Sequence, residues 1–120
     1  MPPDKRDAAY LWDMLDSARL IREFTTDVSS DQYIRDRKLQ LAVERSVEII
    51  GEAARRVSDN FRRAHPEIPW RRIIAQRHVL AHEYGEIKQE LMWKLASVHI
   101  PELIALLEPL IPPASPESEP

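Results

Sequence analysis

Apolar residues recur along this chain at three- and four-residue intervals and rarely alternate singly, so the pattern predicts helices throughout. A first helix is expected from about Asp4 to Thr25. Asp4 is its N-cap, Asp7 sits in the acid-favouring first turn, and Tyr10, Met14, Ala18, Ile21 and Phe24 form the stripe. The stretch from Thr25 to Ser30 is polar and reads as a loop. A second, long helix is expected from Ser30 as N-cap to about Val57, with Leu39, Ala42, Val43, Ser46, Ile50, Ala53 and Val57 along one face. Ile34, Leu41 and Ile49 fall away from the centre of that face. They read equally as the margin of a wide core face or as a second strip that meets another subunit. Gly51 in mid-helix costs about 1 kcal/mol against alanine, which a close approach of a neighbouring helix would explain.

Ser58 is placed to cap a short turn from Asp59 to Arg63, and His65-Pro66 stops it because the residue before proline disfavours helix. Pro69 then suits the first turn of a third helix reaching Tyr84, with Gly85 as its terminator. A fourth helix is expected from Ile87 to Ile111 on the stripe Ile87, Leu91, Leu95, Val98, Leu103, Leu106 and Leu110, kinked or split at Pro101. Trp12, Trp70 and Trp93 read as core aromatics. The closing segment PPASPESEP is acidic and proline-rich and reads as a disordered tail. The expected organisation is one helical domain over 1–111 and a tail over 112–120, in an all-α up-down bundle of four to five helices.

The whole chain suits one such domain. It has 120 residues, 43% hydrophobic and 31% charged. The net charge of −3 argues against a general polyanion binder. That average hides a local excess, because from Arg62 to His82 the chain carries Arg62, Arg63, Arg71, Arg72 and Arg77 against the single acid Glu67. Cysteine is absent, so disulfides and thiolate metal sites are excluded. The N-terminus lacks the apolar stretch of a secretory signal, and no run approaches the ~20 apolar residues of a membrane-spanning helix. A cytoplasmic location with no membrane partner is the expectation.

Chemistry concentrates in the segment PWRRIIAQRHVLAHEYG, positions 69–85. It places Arg77, His78, His82 and Tyr84 within two turns at one helix end. Arg77 and Tyr84 share a face, and His78 and His82 lie one turn apart. Arg77 and His82 are ~140° apart on an ideal helix and converge best if the helix loosens near His82. In an acidic chain the excess of arginine from Arg62 to His82 is a local cationic patch to which RNA phosphates would be drawn, and RNA brings its own nucleophile, the 2′-hydroxyl. Its cleavage needs a base, an acid for the leaving 5′-oxygen, and positive charge on the phosphorane. Histidine titrates in the right range for either proton transfer, and arginine offers a fixed fork of donors to phosphate oxygens. One His82 does not readily serve as both acid and base in one step, whereas a two-fold dimer would supply two. His78 and His82 also have zinc-ligand spacing, but Val79 stands where a general-base glutamate would follow, so neither metal nor cofactor is expected. Arg71 and Arg72 read as a solvated face and as candidate RNA contacts, and Tyr84 reads as either a half-buried core tyrosine or an exposed modification site. His65 and His99 read as structural or surface residues.

The run Arg77-His78-Val79-Leu80-Ala81-His82-Glu83-Tyr84 resembles the HEPN motif, with the added tyrosine of its HepT-like branch. Glu48-Ile49-Ile50-Gly51-Glu52-Ala53-Ala54 and Pro66-Glu67-Ile68-Pro69-Trp70 resemble that branch's other recurring segments, in order. His78 departs from the pattern, which more usually has asparagine there. The resemblance implies a HepT-like ribonuclease toxin of a type VII-like toxin–antitoxin system, a homodimer that cuts RNA without a metal. In that picture Arg77 and His82 are catalytic and His78 supports them. It further implies a small MNT-type nucleotidyltransferase as antitoxin and Tyr84 as the acceptor of AMP. The rival expectation is a non-catalytic helical module that holds a nucleotidyltransferase partner or a nucleotide through the same patch.

Overall fold

A computed structural model describes residues 3–82 and 89–111, with residues 77–82 described by backbone alone, and every regular element among them is helical. Helix α1 spans Lys5–Thr25, and the Asp4 carboxylate accepts from the Asp7 backbone N–H at 2.7 Å, as its first turn requires. The chain then turns through Asp27, whose φ of 61° lies in the left-handed region that aspartate tolerates better than most residues.

The expected long second helix is two helices, α2 (Ser30–Arg35) and α3 (Arg37–Arg56). The cap of α2 is Ser29 rather than Ser30. It closes a capping box, with Ser29 Oγ accepting from the Gln32 N–H at 3.1 Å and Gln32 Oε1 from the Ser29 N–H at 2.8 Å. The break falls at Asp36, which takes φ −111°, ψ 93° and accepts from the Leu39 N–H at 3.0 Å. An aspartate side chain competes with the backbone carbonyl for such donors, and here it restarts the helix. Gln40, buried on α3, donates its side-chain amide to the carbonyls of Tyr33 and Ile34 at 3.0 Å each, which secures the corner.

Ser58 caps α4 (Asp59–Ala64), and α5 (Trp70–His82) follows Pro69. The fourth helical segment is α6 (Gln89–Lys94), a π turn over Leu95–His99, α7 (Ile100–Leu107) and a 3₁₀ turn over Glu108–Leu110. Pro101 does not split it. Proline lacks an N–H and crowds the carbonyl four residues back, and the wider π turn, closed by the Ile100 N–H on the Leu95 carbonyl, meets that demand just before it. The inner face of this segment differs from the expected stripe. Leu91 and Val98 are 63% and 46% exposed, while Met92, Leu95, Ala96, Ile100, Leu103 and Leu107 are buried. The segment is apolar on several sides, so spacing does not select its inner face; packing does.

Helix α3 packs against both α1 and α5, and α7 packs against α1. Leu11, Met14, Ala18 and Ile21 of α1 meet Val43, Val47, Ile50 and Ala54 of α3 in the core, where full burial of each large side chain stabilises by about 1.5–3 kcal/mol. Gly51 is buried on α3, as a close helix approach requires. Trp12 is a correction: it lies 38% exposed with the Arg19 guanidinium 5.8 Å above its ring, outside the core. Ile34, Leu41 and Ile49 are 40%, 50% and 36% exposed, the first on α2 and the other two on α3. No helix among the described residues is long and apolar enough to cross a membrane. The tail at 112–120 and the terminator Gly85 lie outside the described residues.

One buried carboxylate ties the bundle's end together. Asp7 accepts from the Ser58 N–H at 2.8 Å and from the Ser58 hydroxyl at 2.6 Å, joining α1 to the corner between α3 and α4. Asp7→Ala leaves both donors unmatched and is expected to cost about 1–3 kcal/mol, read as a lower midpoint in urea or thermal unfolding. An unchanged midpoint would show that these bonds contribute nothing net.

Candidate functional site

Helix α5 carries the candidate chemistry, and its first residue fixes it. Trp70 is buried, packs edge-on to Phe61 at 6.4 Å, and donates its indole N–H to the His65 carbonyl at 2.9 Å. Ile73 and Ile74 pack against the core from the same helix. The helical backbone continues unbroken through His82, so the expected loosening does not begin before that residue. On this backbone the positions of Arg77 and His82 stay ~140° apart. Positions 71, 75, 78 and 82 fall along one side of the helix, within ~60° of one another. The single helix therefore brings His78 and His82 onto the line of Arg71, with Arg77 on another side. Tyr84 lies outside the described residues.

The adjacent arginines Arg71 and Arg72 are both exposed, but the structure separates them. Arg71 shares an open surface groove with Arg62 and Arg63 of α4. Arg72 instead borders a small apolar pocket with Val47, Ile50 and His99. Among the described residues neither has a hydrogen-bond or ion-pair partner.

The other two histidines are engaged locally. His65 Nδ1 lies 3.1 Å from Glu67, and His99 Nδ1 lies 3.2 Å from Glu102. A backbone hydrogen bond, aided by His65, holds the Glu67 carboxyl below its usual range. Among the described residues no group of three His, Asp or Glu side chains is placed to hold a metal ion.

A buried polar cluster beside the start of α6 was missed in the sequence. Glu44 is 7% exposed, accepts from the Gln89 side-chain amide at 2.9 Å, and lies 3.7 Å from Arg37. Tyr33, fully buried and 5.3 Å from the Trp93 ring, has a hydroxyl with no partner among the described residues. Burial, then the Glu44 charge, pushes its phenol up, so it stays neutral. The available signal was Glu44 itself, a charged residue between Val43 and Val47 on the inner face of α3. The cluster fastens α6 to α3 just beyond the candidate site.

Two of the segments that carry the family resemblance have packing roles. Ile50, Gly51, Ala53 and Ala54 are buried on α3, and Ile68 and Trp70 are buried around the turn into α5. The side chains of the third, from Arg77 onward, lie outside those described.

The family model described as Ribonuclease HepT-like matches residues 14–110. A protein of Thermococcus cleftensis named "Probable ribonuclease HepT" is 40% identical over 101 residues, covering 84% of this chain and 92% of its own length. A candidate RNase of Methanocaldococcus jannaschii is 38% identical over 100 residues, 82% of this chain and 92% of that one. A second from the same organism is 34% identical over 117 residues, 98% of this chain and 97% of that one. No solved structure matches the chain.

Proposed function

The chain belongs to the ribonuclease HepT-like family, and on that premise we propose that it is an RNA endonuclease toxin whose site is built on the end of α5. The observation that carries the reading is the match over residues 14–110, which takes in all of α5 with Arg77 and His82. Family membership supports RNA as substrate. The gathering of Arg77, His78 and His82 within one helical segment supports the placement of the site.

The proposed reaction is attack of the 2′-oxygen on the adjacent phosphorus with departure of the 5′-oxygen, leaving a 2′,3′-cyclic phosphate. One His82 removes the 2′-hydroxyl proton, and a second returns a proton to the leaving oxygen. Arg77 binds the non-bridging oxygens as charge accumulates on them. His78 supports the site by hydrogen bonding. Because one chain supplies one His82, the acting form is a homodimer. The exposure of the apolar side chains of Ile34, Leu41 and Ile49 supports this, since they are free to meet a second copy. The chemistry assigned to Arg77 and His82 uses no metal. Its antitoxin is a nucleotidyltransferase of the MNT type that adds AMP to Tyr84.

The direct test is cleavage of total and transfer RNA by the purified chain, wild type beside Arg77→Ala, each with and without EDTA. Wild type is expected to cut in EDTA, and Arg77→Ala to lose ~10²–10³-fold, the usual effect of removing one donor to a developing oxyanion. Activity lost in EDTA and restored by a divalent ion would overturn the metal-free mechanism. An absence of any cleavage would favour a binding module.

A further inference from the structure

Helix α4 and the first turns of α5 form a cationic groove that the packing of the bundle does not call for. Arg62 and Arg63 come from α4 and Arg71 from α5, with Asp59, Trp70 and Ile74 also in the lining. Three guanidinium groups thus face one carboxylate in a chain whose net charge is −3. Arg62 pairs with Asp59, yet its Nε is buried with no acceptor among the described residues. Arg63 donates only to the neutral Asn60 side chain, at 2.8 Å, so its charge is uncompensated. Arg71 has no partner among the described residues. The first turn of α5 carries no acidic residue, which leaves the positive end of a 13-residue helix dipole at the same place. Like charges held together repel, and an anion in the groove relieves that repulsion.

We propose that this groove binds the sugar–phosphate backbone of the RNA substrate on one side of the cleavage point, an inference that rests on the ribonuclease reading above. Direction favours RNA over an acidic protein. The line of α5 that starts at Arg71 runs through positions 75 and 78 to His82, a rise of ~16 Å over eleven residues. A polyanion lying in the groove and following that line arrives at the proposed catalytic positions. The arginine fork matches paired phosphate oxygens, and three such contacts fix position and register rather than sequence. Trp70 is buried with its indole N–H already engaged, so the groove has no free aromatic face on which to stack a base. The contact is therefore expected to be sequence-tolerant. The groove is also preformed, because the Phe61–Trp70 packing and the Trp70–His65 bond hold α4 against α5.

The test uses the full chain and a fluorescein-labelled single-stranded RNA whose 2′-hydroxyls are all methylated, which blocks the nucleophile and leaves the backbone charge. Affinity is read by anisotropy across a salt series. For the double variant Arg63→Ala with Arg71→Ala, the affinity at low salt is expected to fall ~10-fold or more. The slope of log affinity against log salt should become shallower by about 1.4, at about 0.7 per lost single-strand phosphate contact. Lysine at both positions should restore most of the loss, and Arg22→Ala on the exposed side of α1 should change nothing. On cleavable RNA the double variant should raise KM for long substrates with kcat unchanged, and leave a dinucleotide substrate unaffected. Wild-type affinity and salt slope in the double variant overturn the proposal. So does retained RNA binding with loss of binding to an acidic protein partner. If the chain cuts no RNA but the double variant still loses RNA binding, the catalytic reading fails and the groove stands.

Discussion

Alanine in place of His82 is expected to lower RNA cleavage by ~10²–10⁴-fold, the usual loss when a positioned proton-transfer group is removed. The argument is one of chemistry at a place. Imidazole is the side chain whose ordinary titration range allows it to accept a proton in one half of the reaction and donate in the other near neutral pH. His82 is the last residue of α5, beyond Ile73 and Ile74, which pack that helix against the core. The substitution should therefore leave helical content and unfolding midpoint close to wild type, and circular dichroism with thermal unfolding checks this in the same preparation. Mixed dimers separate the roles. If both copies of His82 act, one as base and one as acid, a heterodimer of one wild-type chain and one His82→Ala chain falls nearly as far as the homodimeric variant. If each copy acts alone, the heterodimer keeps half the activity. Full activity in purified His82→Ala, folded as wild type, would remove the assignment altogether.

The second large effect is expected at Tyr84. Transfer of AMP to its hydroxyl forms a phosphodiester that keeps one negative charge, placed two residues beyond His82. Arg77, seven positions earlier and on the Tyr84 side of an ideal helix, is the cation expected to receive it. The adduct then occupies the place of the scissile phosphate, and its nucleoside blocks RNA by bulk. One modification should silence cleavage without unfolding the chain. Tyr84→Phe should cut RNA as wild type does, because neither proton transfer uses the phenol, and should escape modification. Incubation with ATP and the candidate nucleotidyltransferase, followed by intact mass and a cleavage assay, measures both. If Tyr84→Phe gains the same mass and is silenced equally, the acceptor lies elsewhere.

Much of this architecture was legible in local chemistry. Asp4 and Ser58 cap helices where their side chains reach the third following N–H, a decision made within four residues. The loop after Thr25, the stop at His65-Pro66 and the start of α5 after Pro69 are equally local, since proline and short polar side chains act on their immediate neighbours. The candidate residues Arg77, His78 and His82 were likewise visible as a cluster of side-chain types within one helical segment.

Competition among local signals blurred the next level. Asp36 interrupts a pattern that otherwise runs on from Ile34 through Leu41, because a carboxylate at that point offers the backbone a second way to satisfy the Leu39 N–H. The outcome depends on Gln40 reaching back to the carbonyls that the break exposes. At Pro101 the sequence shows only that an ordinary helical turn is unfavourable there. The choice of a π turn over a break follows from keeping Leu95 and Ala96 on one side and Ile100 and Leu103 on the other in the same core.

The sequence by itself determined an all-helical chain, its capped starts, and the segment in which arginine and histidine gather, because propensity, capping and residue chemistry act over a few positions. Only the tertiary structure decided which apolar faces are inside. Leu91, Val98 and Trp12 are as apolar as their neighbours, yet lie on the surface because burial depends on what packs opposite. The same is true of charge. Arg71 and Arg72 are adjacent and identical in kind, but the turn of ~100° between them sends one into a groove with Arg62 and Arg63 and the other beside His99. A charged groove needs two elements held side by side, and the contact of α4 with α5 through Phe61, Trp70 and His65 is what holds them.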